Sequence, residues 1–354
     1  MFESNDTIDL GFCQKIPKVE LHAHLNVSFS AKTFQHLVDR KASTLPEVKN
    51  LNVTIKEGET NSLDNNFDLY RLAQKVFDDE YAIYKLSYDV IHEFSDDNVK
   101  YLELRSTPKE ISSTGMTRRL YIETMIKAVK ACEKEGLDIL VKILPSIDRR
   151  LGVDVANITV DLAKELSDKY PGYIPGIDFS GDPKVLDAVE YIPVFNRARE
   201  LGLKLALHLA EIPNHEETLR VLKESTPDRI GHGSFIHSEF PGLEDLKEIV
   251  IKRKIPIELC LTSNLKTQTV ENYKEHHFKV WYDLNHPQIL CTDGKGTYQC
   301  NLSDEYFQAA QAFNLTKSQM VDLSYKAIDY TFASTQEKEN LKLKWKNIRD
   351  EFQK

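Results

Sequence analysis

Cysteine is scarce in this sequence. Its 354 residues hold five, Cys13, Cys132, Cys260, Cys291 and Cys300, and no two of them form a C-x-x-C pair. That scatter excludes a disulfide framework and leaves thiolate zinc or thioredoxin-like redox chemistry without ligands. Positive charge is also in deficit, with 46 Lys and Arg against 55 Asp and Glu, a net −9. A chain of that sign is a poor partner for a nucleic acid polymer, although one local pocket can still hold a small anion. No stretch approaches the roughly 18 uninterrupted apolar residues of a membrane helix. Residues 1–10 lack the apolar centre of a secretory signal. The sequence therefore predicts a cytosolic protein with no membrane partner. Familiar nucleotide and nucleophile motifs are missing too. There is no Walker A sequence, and residues 231–235 read G-H-G-S-F, not the G-x-S-x-G of a nucleophile elbow. Gly294-Lys295-Gly296 lacks the third glycine of a dinucleotide fingerprint and follows the last predicted strand instead of the first. Serine hydrolysis and hydride transfer are both disfavoured.

What the chain does have is a regular alternation. With 41% hydrophobic and 29% charged residues it has the composition of an ordinary globular protein. Short aliphatic or β-branched runs fall at 18–24, 101–107, 138–146, 174–179, 203–209, 228–232, 255–262 and 288–292. Several are almost wholly apolar, as expected of parallel strands covered on both faces. Helical patterns lie between them. Thr117 can cap a segment whose Ile122, Met125, Ile126 and Val129 share one face, and Gly136 closes it. Near the C-terminus Leu341, Trp345, Ile348 and Phe352 form a second such stripe, read as core packing.

Eight strands alternating with helices is the count that closes a (β/α)8 TIM barrel. Residues 25–100 make the longest interval, between the first two strands, and contain the polar stretch 50–66. They are read as a helical insertion where a lid over the barrel mouth would sit. No Pro/Ser/Gly linker divides the chain, so residues 1–354 are expected to form a single barrel domain; the chain is also expected to act as a monomer.

In such a barrel chemistry gathers where the strands end. The first strand ends His22-Ala23-His24, the fifth reaches His208 with Glu211 three residues on, the sixth ends at His232, and the eighth runs into Asp293. Taken singly, each has a bland explanation: surface or core histidines, or a tight turn. Four histidines and two carboxylates at four strand ends on one face are harder to assign to chance. His276-His277, an adjacent pair in a polar stretch, reads as a solvated loop or a packing feature, and His36, His92, His215, His237 and His286 as structural. Three imidazoles with one carboxylate suit Zn²⁺, which lowers the pKa of a bound water towards 7. Glu211 is then placed as a proton donor and His232 as the group that takes the water's proton. The set suits hydrolytic attack on an electrophilic carbon with protonation of a nearby nitrogen.

At these residues the chain resembles the adenosine deaminase family of amidohydrolases, and within it the branch that acts on N6-methyl-AMP. The resemblance runs nearly end to end, from residues 17–26, P-K-V-E-L-H-A-H-L-N, to 332–334, F-A-S. Its most specific stretches are 100–109, K-Y-L-E-L-R-S-T-P-K; 176–182, G-I-D-F-S-G-D; 208–214, H-L-A-E-I-P-N; 258–264, E-L-C-L-T-S-N; and 276–278, H-H-F. The resemblance implies one zinc per chain on His22, His24, His208 and Asp293. It makes Glu211 the proton donor to purine N1 and gives water activation to His232 with Asp293. The N–H of Gly181 is assigned to ring N3, and substrate contacts to His24, Asn26, Ser106, Thr107, Pro108, Lys109, Asp148 and His208. Thr107 and Lys109 offer a hydroxyl and an ammonium to a phosphate, and Asp148 suits a ribose hydroxyl. Three positions depart from the family pattern. Gly294 stands where an aspartate to ring N7 is usual, Gln74 replaces a histidine, and Val27 replaces a glycine. These changes touch substrate recognition and spare zinc, Glu211 and His232. The resemblance implies hydrolysis of a purine nucleotide, chiefly N6-methyl-AMP to IMP and methylamine. Free adenosine or another 6-substituted purine remains an alternative substrate. Because of Gly294, a catalytically impaired nucleotide-binding protein also remains open.

Overall fold

Strand β1, Lys18–His24, opens a parallel sheet whose remaining members follow in chain order: β2 Val99–Ser106, β3 Leu140–Asp148, β4 Gly176–Ser180, β5 Lys204–Leu209, β6 Arg229–His232, β7 Ile257–Leu259 and β8 Gln288–Leu290. This is a computed structural model that describes residues 8–49, 51, 54, 55, 59, 60, 71, 73–236 and 244–352. Each strand pairs with the next in parallel. The ring closes at the mouth, where Asp293 N–H donates to the His22 carbonyl at 2.8 Å and His24 N–H to the Asp293 carbonyl at 2.9 Å. The fold is the (β/α)8 barrel the alternation predicts.

Local sequence explains the outer shell. The Thr117 hydroxyl accepts from Leu120 N–H at 3.1 Å and starts the helix Arg118–Lys134, whose Ile122, Met125, Ile126 and Val129 are buried. Gly136, at φ +79°, turns the chain just beyond its end, a conformation glycine adopts without a Cβ penalty. The C-terminal helix Thr335–Phe352 buries Leu341 and Trp345 in a cluster with Val19, Leu21 and Ile289 from β1 and β8. Strand bounds differ from expectation most at β7. Its apolar run continues past Leu259, but the chain turns there and residues Leu261–Lys266 are helical. Hydrophobicity alone does not separate the end of a buried strand from the start of a buried helix.

The helical insertion is present between β1 and β2, with helices Ala31–Ala42 and Glu80–Asp96. Most of the polar stretch 50–66 lies outside the described residues. Ile55 does not: its N–H donates to the Thr297 carbonyl at 2.8 Å and its carbonyl accepts from Lys266 Nζ at 2.7 Å. Among the described residues no helix is long and apolar enough to cross a membrane.

The barrel interior is unusual. Barrels of this type are commonly filled by branched aliphatics. Here Glu20, Glu103, Arg105, Asp178, Arg229 and Glu258, from β1, β2, β4, β6 and β7, are all fully buried. Arg105 bonds Asp178 at 3.0 Å, Glu258 at 2.5 Å and the Leu21 carbonyl at 2.6 Å. Arg229 bonds Glu258 at 2.6 Å and also pairs with Glu103. Contacts between such distant strands are possible only across the inside of the barrel.

Candidate active site

The charged bed supports a cluster of donors above it. His22 Nε2 lies 3.3 Å from His24 Nε2, and His24 Nε2 lies 3.1 Å from His208 Nε2. Asp293 Oδ1 is 3.7 Å from the first of these nitrogens and 3.6 Å from the second. The outer nitrogens are already engaged: His22 Nδ1 is 2.8 Å from Glu258 Oε2, and His208 Nδ1 is 3.1 Å from Asp178 Oδ1. Burial alone would raise both carboxyls. Arg105 and Arg229 nevertheless hold Glu258 low, and His208 and Arg105 do the same for Asp178. Both therefore remain proton acceptors. This places the imidazole protons on Nδ1 and turns the Nε2 lone pairs inward. Burial keeps two of the rings uncharged, with His22 well below its ordinary pKa and His24 pushed down to about 3, whereas at His208 the Asp178 carboxylate outweighs burial and raises the pKa. Lone pairs facing one another at these distances repel unless a cation lies between them. The residues present fit a metal ion.

Three strand ends that carry this chemistry are bent unusually. Ala210, His232 and Asp293 have φ of +54°, +60° and +63°, a left-handed conformation rare outside glycine and concentrated at functional sites. The turn at Ala210 delivers Glu211 to the pocket. His232 Nε2 lies 3.8 Å from Glu211 Oε2 and 4.0 Å from Asp293 Oδ2, and Ser263 Oγ donates to Asp293 Oδ2 at 2.7 Å. Burial pushes the Glu211 carboxyl up to about 7, so it holds a proton near neutral pH. His276 and His277 are fully inside, which corrects the solvated-loop alternative and leaves the packing one. His277 Nε2 donates to the His232 carbonyl at 2.9 Å, and His276 Nε2 lies 2.9 Å from Asn264 Oδ1. His36, His92 and His286 meet Tyr81, Glu135 and the Ile255 carbonyl, away from the cluster, and His215 opens the helix His215–Glu224. His237 lies outside the described residues.

The cluster forms one wall of a cavity with about 890 Å³ of empty space, counting its open mouth. Asn26, Gln74, Thr107, Asp148 and Gly181 line it together with His24, His208, Glu211, His232 and Asp293. Gly181, at φ +105°, lies so close to Asp148 that a Cβ would meet Oδ1 at 2.5 Å. Other expected contacts are directed elsewhere. Ser106 Oγ is 2.7 Å from Tyr121 OH in the interior, and the Pro108 carbonyl accepts from Arg118 Nη1 at 2.7 Å. The Lys109 ammonium is buried and has no hydrogen-bond partner among the described residues, and burial pushes its pKa down to about 7. Arg150 also lines the pocket and grips Asp148 through Nε at 2.9 Å and Nη2 at 2.5 Å. Sequence reasoning missed Arg150, Ser263 and the carboxylates behind the histidines. The available signal for the carboxylates was acidic residues set inside otherwise apolar strands, as in 257–259, I-E-L, and 177–179, I-D-F.

Comparison with known proteins agrees with this geometry. The family model described as adenosine deaminase matches residues 17–347. The N6-methyl-AMP deaminase of Homo sapiens is 44% identical over 338 residues, covering 96% of this chain and 95% of its own. The Xenopus laevis N6-methyl-AMP deaminase-L is 46% identical over 336 residues, covering 95% of each. A solved ADAL–IMP complex superposes with a TM-score of 0.88 at 33% identity, covering 97% of this chain and all of that one. The apo N6-methyl-AMP deaminase of Arabidopsis thaliana gives a TM-score of 0.86 at the same identity and coverage. With matches that span nearly its whole length and the donor cluster at its strand ends, the chain belongs to the adenosine deaminase family.

Proposed function

We propose that this protein is a zinc-dependent hydrolytic deaminase that converts N6-methyl-AMP and water to IMP and methylamine. The observation that carries this reading is the convergence of His22, His24, His208 and Asp293 beside a half-buried Glu211 and a buried His232 at one end of the cavity. The relatives named N6-methyl-AMP deaminase, similar over nearly the full length, support the substrate. Three imidazoles and a carboxylate are a borderline donor set suited to zinc, which when bound supplies Lewis acidity and an acidified water.

The chain's own residues do the rest. His232 Nε2 takes the proton of the attacking water, whose oxygen bonds purine C6. Asp293, fixed by Ser263, steadies the resulting imidazolium. Glu211 delivers its proton to ring N1, so that C6 becomes a better electrophile as the C6–O bond forms. The C6–N6 bond then breaks as the His232 imidazolium gives its proton to the departing methylamine, while the C6 hydroxyl returns a proton to Glu211 and becomes the carbonyl of IMP. Gly181 N–H is assigned to ring N3, and Asp148, held by Arg150, to a ribose hydroxyl. The buried Lys109 ammonium and the Thr107 hydroxyl are assigned to the phosphate, whose charge offsets that of a cation with no hydrogen-bond partner among the described residues.

Zinc-loaded protein incubated with N6-methyl-AMP, AMP and adenosine is expected to release methylamine and IMP from the first; no turnover of it would overturn the reading. Replacing Lys109 by Ala separates nucleotide from nucleoside recognition. Loss of a charge-assisted phosphate contact is expected to raise KM for N6-methyl-AMP about 10- to 100-fold. KM for the corresponding nucleoside should not follow. An unchanged nucleotide KM would favour the free-nucleoside alternative.

A further inference from the structure

Most of the side chains that line the pocket carry a polar group. Among the described residues that line it, Val27 carries the single aliphatic hydrocarbon side chain. Its position is unusually well defined. Val27 ends the 3-10 turn Leu25–Val27, which follows His24 directly, and it is buried. Opposite it is Gly294, the residue after Asp293. A Cβ at Gly294 would lie 2.9 Å from Val27 Cγ2, 3.2 Å from Val27 Cβ and 3.4 Å from Tyr298 Cε2. Gly294 has φ −136° and ψ +71°, so no left-handed backbone demands glycine there. A side chain at 294 would have to displace the valine.

Two segments that carry members of the donor cluster thus press one apolar patch, Val27 and the Tyr298 ring, against the reacting end of the cavity. A substrate that loses an alkylamine brings a small hydrocarbon group to that end. Among the lining residues this patch offers the one aliphatic side chain for such a group to meet. We infer that Val27, seated over Gly294 beside Tyr298, contacts the N6-alkyl substituent and sets the preference for an N-alkylated over an unsubstituted 6-aminopurine nucleotide. The inference rests on the deaminase reading given above.

The test is the ratio of kcat/KM for N6-methyl-AMP to that for AMP in wild type, Val27→Ala and Val27→Thr. A ratio taken from one preparation does not depend on the folded fraction. The threonine variant keeps the shape of valine but puts a hydroxyl on the patch. Contact with one methyl group predicts a three- to tenfold fall in the ratio for both variants. Gly294→Ala, which forces Val27 towards the substrate, should lower the ratio on its own. Adding Val27→Ala to it should restore activity in a non-additive way. A ratio that stays within twofold of wild type, or rises, in both Val27 variants overturns the inference while leaving the deaminase reading intact. A wild type that turns over neither nucleotide overturns both.

Discussion

Glu211→Gln is expected to lower kcat on N6-methyl-AMP by about 10²- to 10⁴-fold, the span usual for loss of a positioned general acid. Glutamine keeps the volume and hydrogen-bonding reach of Glu211 but has no proton to give. Metal content measured by atomic absorption should stay at the wild-type level, because Glu211 is absent from the groups of donors that converge. Full activity in this variant would remove Glu211 from the mechanism. The same assignment fixes the direction of the pH dependence. A proton donor works in its acid form, and burial pushes the Glu211 carboxyl up to about 7. Activity carried by Glu211 is thus present below that value and lost as pH rises through it. A rate profile with its alkaline limb near neutrality is the expected result, and a profile flat to pH 9 would contradict it.

Arg105→Met should have the largest effect on stability, a loss of about 3–5 kcal/mol, because it leaves two buried carboxylates short of their cation. Arg105 faces Asp178 and Glu258 with no exposure on any of the three. Its guanidinium helps hold both folded-state pKa values low against burial. Depressed carboxylates contribute stability above their unfolded pKa, about 4, and lose it as pH falls through the folded values. Urea unfolding of the two proteins should therefore differ most near pH 7 and converge in strong acid. Since Glu258 and Asp178 orient His22 and His208, metal affinity should also fall by about 10- to 100-fold. Equal stability at pH 7 would show that the bed tolerates the lost charge.

Much of this was readable in the sequence because it depends on local pattern. Short apolar runs reveal parallel strands wherever helices cover them, and Thr117 and Gly136 bracket their helix as isolated signals do. His22 and His24 stand out since alternate residues of a strand share a face, and strand ends are where barrels keep their chemistry. Glu211 and His232 follow from the same rule. What escaped depends on side chains that meet across the barrel. Nothing near Arg105 in the chain announces Glu258, and nothing near Asp148 says that Arg150 will fold back onto it. Ser106 illustrates the reverse: it sits beside Thr107 in sequence, yet strand alternation sends its hydroxyl to Tyr121 while Thr107 reaches the pocket. Val27 and Gly294 were each visible as a departure from the family pattern. That each accounts for the space the other occupies appears only once β1 and β8 lie side by side.

The seam between those two strands has a consequence of its own. β1 and β8 meet through one isolated bridge, Ala23 with Asp293. His22, His24 and Asp293, the residues around that bridge, are also the ones that converge on the cation position. A cation there acts as a clasp between the first and last staves of the barrel. Without a cation the closure rests on the backbone bonds of that bridge, and a seam that parts exposes unpaired edges, which are templates for association between chains. Stripping a bound metal with a chelator is therefore expected to raise the protein's tendency to self-associate, read by light scattering, apart from any effect on turnover.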